Sequence, residues 1–401
     1  ANAIKTWNKL RGDIAGWPDI ELSPLPPKRE PWTLPLEHFP QSFRDDVERW
    51  INRLSNPDPF DQSGPIKALR PSTIKNRRFQ IREMASALVL SGYPIDAVTS
   101  LACLVELDNL KTGLRFMMSR FNNKPTEAIH GLAMGLQAIA RHHVKVDADH
   151  QDQIKGICRR LNLEVDGLRA KNRERLLQLE DPHNLAKLLH LPAKLVRLSR
   201  GSDIKAHKAA LMVQAALAIE ILLYAPMRVG NLAKLTLDRH IKSTRYGRER
   251  YTQIYIPGEE VKNSKELHYE LAPEATKLLD LYLAEARPVL LREPSDYLFP
   301  AQNGGPKASQ SLSKLIRKTI REHTGLDINA HLFRSIAAKL HNLATPGDSV
   351  TLSHVLADSL RTTMKSYSQF ETRNSLKHYQ RSVDEARRRL TTRSRQEKRK
   401  P

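Results

Sequence analysis

Between Ala209 and Ala225 the chain runs AALMVQAALAIEILLYA, apolar on every side except for Gln214 and Glu220. A helix without a polar face has to be surrounded, either by protein or by lipid. The two polar breaks leave it short of the ~20 clean residues that a membrane span needs, so it is expected to be a buried helix of a soluble protein. Everything around it must then supply surfaces that cover it.

The flanks fit that demand. "HNLAKLLHLPAKLVRL" before it has helical spacing, and "RYTQIYIPGEEVKNSKELHYEL" after it alternates with period two. The alternation predicts a small antiparallel sheet, with Pro257-Gly258 and Asn263-Ser264 as turns. Helical patterning then returns as far as the C-terminus. The expected class is mainly α with a small antiparallel sheet, an α+β domain over residues 185–375.

Upstream the pattern is purely helical. Seven prolines within residues 1–40 favour an extended arm, and "QSFRDDVERWINRLS" adds one short amphipathic helix, so residues 1–65 form a first segment. Residues 66–164 read as an all-α domain that opens with "RPSTIKNRRFQIREM", where Ser72 or Thr73 can cap and Ile74, Ile81, Met84 and Leu88 form the apolar stripe. Lys75, Arg78 and Arg82 line another face of the same helix. A polar stretch over 165–184 reads as a linker, and 376–401 as a C-terminal helix with a basic tail.

Charge narrows the function. The 401 residues hold 65 Lys and Arg against 44 Asp and Glu, a net charge of +21, and the pI is near 10. Such a surplus favours a polyanion, because each neutralised phosphate releases condensed counterions. Nucleic acid is the expected partner, with Lys75, Arg78 and Arg82 as candidate contacts to a DNA backbone or groove. No lipidation signal or aromatic-rich amphipathic anchor points to a membrane. Cys103 and Cys158 are too few for a disulfide framework or a cysteine-ligated zinc, and a cytoplasmic, nucleoid-associated protein is expected.

Several chemistries lack their signatures. No P-loop, His-Glu-x-x-His or Gly-x-Ser-x-Gly pattern occurs. The group "RHHVKVDADHQD" is better read as a helix end followed by an Asp147 or Asp149 cap than as a metal site, so neither metal nor cofactor is expected. What remains is a series of cations and one tyrosine: Arg228 in "APMRVGN", Lys262 in "EEVKNSKEL", His331 and Arg334 in "AHLFRS", His354 in "LSHVLADS" and Tyr367 in "TMKSYSQF".

Taken in that order, over roughly residues 180 to 375, these motifs resemble the tyrosine recombinases, the phage-integrase family, and the helical segment before them resembles that family's core-binding domain. The resemblance implies site-specific cleavage and rejoining of DNA through a 3′-phosphotyrosyl link, by a tetramer on paired sites and with accessory proteins in some systems. It assigns Tyr367 as nucleophile, Arg228 and Arg334 as clamps on the phosphate, His331 and His354 as hydrogen-bond donors to the same oxygens or acceptors of the nucleophile's proton, and Lys262 as the acid for the leaving 5′ oxygen. Lys265 and Tyr379 are the reserves. Phosphoryl transfer makes these roles reasonable, since its equatorial oxygens must be held and neutralised, and guanidinium forks do so without a metal.

Two departures stand out. Asn231 occupies a position three after the arginine that is often acidic in the family. Tyr367 follows His354 by thirteen residues, more than the usual spacing, with "ADSLR" as the apparent insertion. Leu376, Tyr379, Val383, Ala386 and Leu390 form an apolar seam beyond the catalytic core, which either folds back on its own domain or, as the resemblance implies, docks on a neighbouring protomer. A type IB topoisomerase and a non-cutting DNA-binding protein on the same fold are the alternative readings.

Overall fold

The computed structural model describes residues 2–23, 32–58, 60–61, 64–163, 170–246, 249–345, 347–364, 376 and 379–388. The chain divides into two compact units, 1–164 and 165–401.

The first unit is helical throughout: α1 (Asn2–Asp13), α2 (Gln41–Ser55), α3 (Pro71–Leu90), α4 (Ala102–Val105), α5 (Leu107–Ser119), α6 (Glu127–Ile139) and α7 (Ala148–Leu161). Helical spacing along α2 turns Phe43, Val47, Trp50, Ile51 and Leu54 to one side, where all five are buried. They join Ile81, Met84 and Leu88 of α3 and Ile129 and Leu132 of α6 in a single core, with Trp32 and Leu34 packed against it. The short helix grouped by sequence with the proline-rich arm therefore belongs to the same core as the helices after residue 66. α3 starts at Pro71, ahead of Ser72 and Thr73, and no side chain caps it. Proline is suited to that first position because its φ is already helical and a missing N–H costs nothing there.

The histidine-rich stretch has structural partners. His143 Nε2 lies 2.8 Å from Asp46 Oδ1, and the other Asp46 oxygen accepts from the Leu101 N–H at 2.8 Å. Asp147 caps α7 by accepting from the His150 N–H, while the His150 ring bonds the Val105 carbonyl. Among the described residues no three His, Cys, Asp or Glu side chains gather as a metal-ligand set.

The second unit opens with α8 (Ala170–Leu177), α9 (Pro182–Leu189), α10 (Leu191–Ser199), α11 (Ala206–Tyr224) and α12 (Val229–Ala233). Next come β1 (Ile241–Tyr246), β2 (Glu249–Ile256) and β3 (Leu267–Leu271), then α13 (Pro273–Leu281), α14 (Arg287–Leu290), α15 (Ser309–Thr324), α16 (Phe333–Ala344) and α17 (Ser349–Leu356). α11 runs through the core of this unit and is buried along most of its length. Each of its leucines and isoleucines that is fully removed from water contributes roughly 1.5–3 kcal/mol. Its polar breaks are accommodated differently. Gln214 is fully buried and satisfied, donating to the Tyr282 hydroxyl at 3.0 Å and accepting from Lys307 Nζ at 2.6 Å. Glu220 is half-buried, and desolvation together with the nearby Glu274 charge raises its carboxyl pKa.

The stretch expected as a linker contributes to this core through Leu176 and Leu179. It is also tied down by charge, with Arg175 on Asp327 at 3.0 Å and Lys339 on Glu180 at 2.5 Å.

The sheet is antiparallel in the order β1-β2-β3, with Ile241 opposite Ile254 and Ile256 opposite Leu267. β3 alternates strictly, burying Leu267, Tyr269 and Leu271. Between β2 and β3 the chain makes a short 3-10 turn at Gly258–Glu260 and passes through Ser264 in the left-handed region, at φ 55°. Gly258 makes this loop possible: a Cβ there would stand 2.8 Å from the Ser264 carbonyl oxygen. Its compact shape places Asn263 and Lys265 for the contacts described below.

Burial alone would raise the Asp46 carboxyl, but bonds from the Leu101 N–H, His143 and Arg49 outweigh it and hold the pKa below its ordinary value. Its stabilisation is therefore complete above the unfolded carboxylate value of about 3.9 and disappears as pH falls through the lower folded value. Asp46→Asn is expected to lower the melting temperature of the first unit at pH 7, and the gap from wild type should narrow below pH ~4. Melting curves at pH 7 and pH 3 would check this.

Candidate active site

Three backbone segments converge on one carboxylate in the second unit. The first is the break after α11, where Pro226 turns the chain and Arg228 stands at the N-cap position of α12 with extended backbone. The second is the start of α16. The Asn329 side chain accepts from the His331 and Leu332 N–H groups, setting up a 3-10 turn over Ala330–Leu332 that leads into the helix. Arg334 then falls in the first turn of α16 and is buried, with 4% exposure. The third is the end of α17, which stops at Ala357 in the left-handed conformation, φ 48°, and presents Asp358.

Asp358 bridges the two arginines. Arg228 Nη2 donates to its Oδ1 at 3.0 Å, and Arg334 Nη2 donates to its Oδ2 at 2.5 Å. The arginines differ in freedom. Arg334 also donates from Nη1 to the Pro226 carbonyl and from Nη2 to the Leu356 carbonyl, both at 3.0 Å. The Arg228 side chain keeps about a third of its surface exposed. On the same short helix as Arg228, the buried Asn231 Nδ2 has no acceptor among the described residues.

The hairpin loop closes this arrangement from the other side. Asn263 Nδ2 donates to the Ala357 carbonyl at 2.5 Å, and Lys265 Nζ donates to the Asp358 carbonyl at 2.9 Å. From β3, the Tyr269 hydroxyl donates to the Val355 carbonyl at 3.1 Å. Burial raises the Tyr269 pKa to about 12; Asp358 adds to the rise, while Arg334 and Arg228 oppose it. This phenol stays protonated at neutral pH and acts as a strut. Beside the cluster opens a cleft of about 630 Å³ whose lining includes Lys265, His268, His354, Asp358 and Leu360.

The sequence candidates thus fall into distinct places. Arg228 and Arg334, more than a hundred positions apart, are brought onto one group. His354 is exposed in the last turn of α17 and lines the cleft, and His331 is exposed in the 3-10 turn before α16. Lys262 is exposed in the hairpin turn, whereas its reserve Lys265 reaches Asp358. Tyr367 lies outside the described residues. The other reserve, Tyr379, is 68% exposed in a helical stretch over 379–388, and Leu376 is likewise exposed. In the first unit Lys75 is exposed, Arg78 is paired with Glu48, and the Arg82 guanidinium sits 5.3 Å from the Phe79 ring centroid.

Sequence reasoning missed Asp358, Asn263 and Tyr269. The only hint of the first was the surplus spacing between His354 and Tyr367, since Asp358 lies inside the "ADSLR" read as an insertion.

Two guanidiniums aimed at one two-oxygen anion, with an ammonium and two exposed imidazoles on neighbouring segments, are equipped to hold a phosphodiester. Residues 195–370 match the phage integrase family model. Among solved structures, a lambda integrase(75–356) dimer bound to a COC′ core site is 15% identical, with 82% of this chain and 95% of that chain covered and a TM-score of 0.47. XerH site-specific recombinase bound to difH is 18% identical, covering 73% and 76%, with a TM-score of 0.46. The Tn1549 transposon integrase in complex with a circular intermediate DNA is 14% identical, covering 79% and 94%, with a TM-score of 0.46. No curated protein sequence matches the chain. On the match over 195–370, the second unit carries a domain of the phage integrase family, the tyrosine recombinases.

Proposed function

We propose that this chain recombines double-stranded DNA at specific sites, cutting and rejoining strands through a 3′-phosphotyrosyl link to Tyr367. The observation that carries this reading is the convergence of Arg228 and Arg334 on a single anionic group inside the family domain. In the reaction the Tyr367 oxygen attacks the scissile phosphorus, the P–O5′ bond breaks, and the new phosphate ester keeps the energy needed for rejoining. The two guanidiniums neutralise the nonbridging oxygens as charge builds on them, a role that in other enzymes falls to a divalent metal. His331 and His354 serve as hydrogen-bond donors or as acceptors of the tyrosine proton.

Lys262 delivers the proton that the departing 5′ oxygen needs. Lys265 is the alternative acid, because its ammonium already lies within the arginine and aspartate cluster. The first unit contributes DNA contacts through Lys75, Arg78 and Arg82 on α3, of which Arg78 must exchange Glu48 for a phosphate. Recombination of two duplexes needs four such protomers, so the working form is a tetramer on paired sites, helped in some settings by accessory proteins. The exposed stripe through Leu376 and Tyr379 is the surface through which protomers couple. The protein acts in the cytoplasm on the nucleoid, in the service of a mobile element or of a chromosome-maintenance system.

The test is covalent capture on nicked suicide duplexes from DNA flanking the gene, incubated in EDTA and resolved on a denaturing gel. Wild type is expected to form an adduct that Tyr367→Phe abolishes. Arg228→Ala and Arg334→Lys should each reduce its rate by at least 10²-fold, the scale of losing one preorganised donor to a transition-state oxyanion. Absence of an adduct on DNA that the protein binds would favour the non-cutting reading, and relaxation of a supercoiled plasmid without paired sites would favour the topoisomerase. Binding is expected to weaken with salt, and Lys75→Ala should reduce the slope of log K against log salt by about 1 without changing which site is preferred.

A further inference from the structure

We infer that Asp358 is an internal stand-in for the scissile phosphate, a carboxylate latch that fills the arginine pair in the DNA-free protein and must be displaced before DNA can be cut. This rests on the reading of Arg228 and Arg334 as the phosphate clamp.

The geometry is that of a ligand in its seat. Each guanidinium takes a different oxygen of the same planar group, at 3.0 and 2.5 Å, as it would take two nonbridging oxygens of a phosphodiester. Asp358 is 7% exposed, so the contact is shielded from solvent and competing ions. Both terminal nitrogens of Arg334 already donate to protein: Nη1 to the Pro226 carbonyl, and Nη2 to the Leu356 carbonyl and the carboxylate. A phosphate arriving beside an intact carboxylate would meet a like charge a few ångströms away, where two arginines already balance one anion. Both anions cannot use the Nη2 groups at once.

The segment that carries Asp358 is built to be held and to be released. Ala357, immediately before it, sits at φ 48°, a left-handed conformation that a residue with a Cβ adopts only at a steric cost. It is held there by the capping bonds of α17 itself, from the Ala357 N–H to the His354 carbonyl and from the Asp358 N–H to the Ser353 carbonyl, and by bonds from outside the helix: Asn263 on the Ala357 carbonyl, Lys265 on the Asp358 carbonyl and the two arginines. Once a phosphate takes the arginines, part of that hold is lost. The carboxylate has to leave the arginine pair before a scissile phosphate can take its place, so cutting is restrained until DNA is bound.

The test uses full-length Asp358→Asn and Asp358→Ala with inorganic phosphate as probe, at constant ionic strength. Without phosphate both variants are expected to melt a few degrees below wild type, because the arginines lose their counter-charge. Millimolar phosphate should restore them while leaving wild type unmoved. On suicide duplexes, Asp358→Asn should form its covalent adduct several-fold faster than wild type. Phosphate that stabilises wild type and variants equally would overturn the latch, and so would an Asp358→Asn variant that binds DNA normally and cuts more slowly, since the carboxylate would then be positioning the arginines in the bound state.

If neither variant folds, hydrogen exchange on wild type decides. The Asp358 amide, which donates to the Ser353 carbonyl at 3.0 Å, should exchange faster when a DNA site is bound, and unchanged protection would overturn the proposal. Phosphate rescue without any DNA cleavage by wild type would keep the anion seat and reject the recombinase reading, so the two failures are distinct.

Discussion

The second unit depends on a buried positive charge. Arg334 is 4% exposed, and an isolated guanidinium at that depth would cost several kcal/mol in lost hydration. It is tolerated because three acceptors meet its terminal nitrogens: the Pro226 carbonyl from the break after α11, the Leu356 carbonyl from the end of α17, and the Asp358 carboxylate. These acceptors come from chain segments remote in sequence, so satisfying one side chain fixes the ends of α11, α16 and α17 relative to each other. Arg228 then shares the same carboxylate from a more open position. The site is a consequence of neutralising Arg334.

The two arginines differ in their surroundings. Arg334 is embedded, with both terminal nitrogens committed to protein acceptors. Arg228 is partly exposed at the entrance of a short helix. The sheet completes the arrangement, because the tight loop at Gly258 brings Asn263 and Lys265 onto the backbone of residues 357 and 358. A strained loop, a helix end and a hairpin are thereby coupled through a handful of bonds, in a place where a ligand can exchange them.

Much of this frame was legible in the sequence, and for identifiable reasons. The helix around Ala209–Ala225 declared itself because nothing but burial suits an all-apolar surface, and the period-two stretch ending in "LHYEL" declared β3, whose burial alternates as the pattern requires. β1 was not legible: Lys242, Ser243 and Thr244 carry no apolar alternation, and the strand exists because its backbone pairs with β2. The order of cations singled out Arg228 and Arg334 but gave no sign of the carboxylate that the structure places between them. Asp358 carries no local signal as a buried residue, since its burial is created by two arginines that arrive from elsewhere in the chain. In the same way, the sequence ranked Lys262 ahead of Lys265, and only the curvature of the hairpin loop shows that it is Lys265 whose ammonium reaches the Asp358 carbonyl.

The account turns on what the arginine pair holds when DNA is present. The most direct measurement is a structure of Tyr367→Phe bound to its own DNA site. The account predicts Arg228 and Arg334 on the nonbridging oxygens of the scissile phosphate, at hydrogen-bonding distance, with the Asp358 carboxylate withdrawn from both. A complex in which both arginines remain on Asp358, and the scissile phosphate is held by other residues, would contradict it.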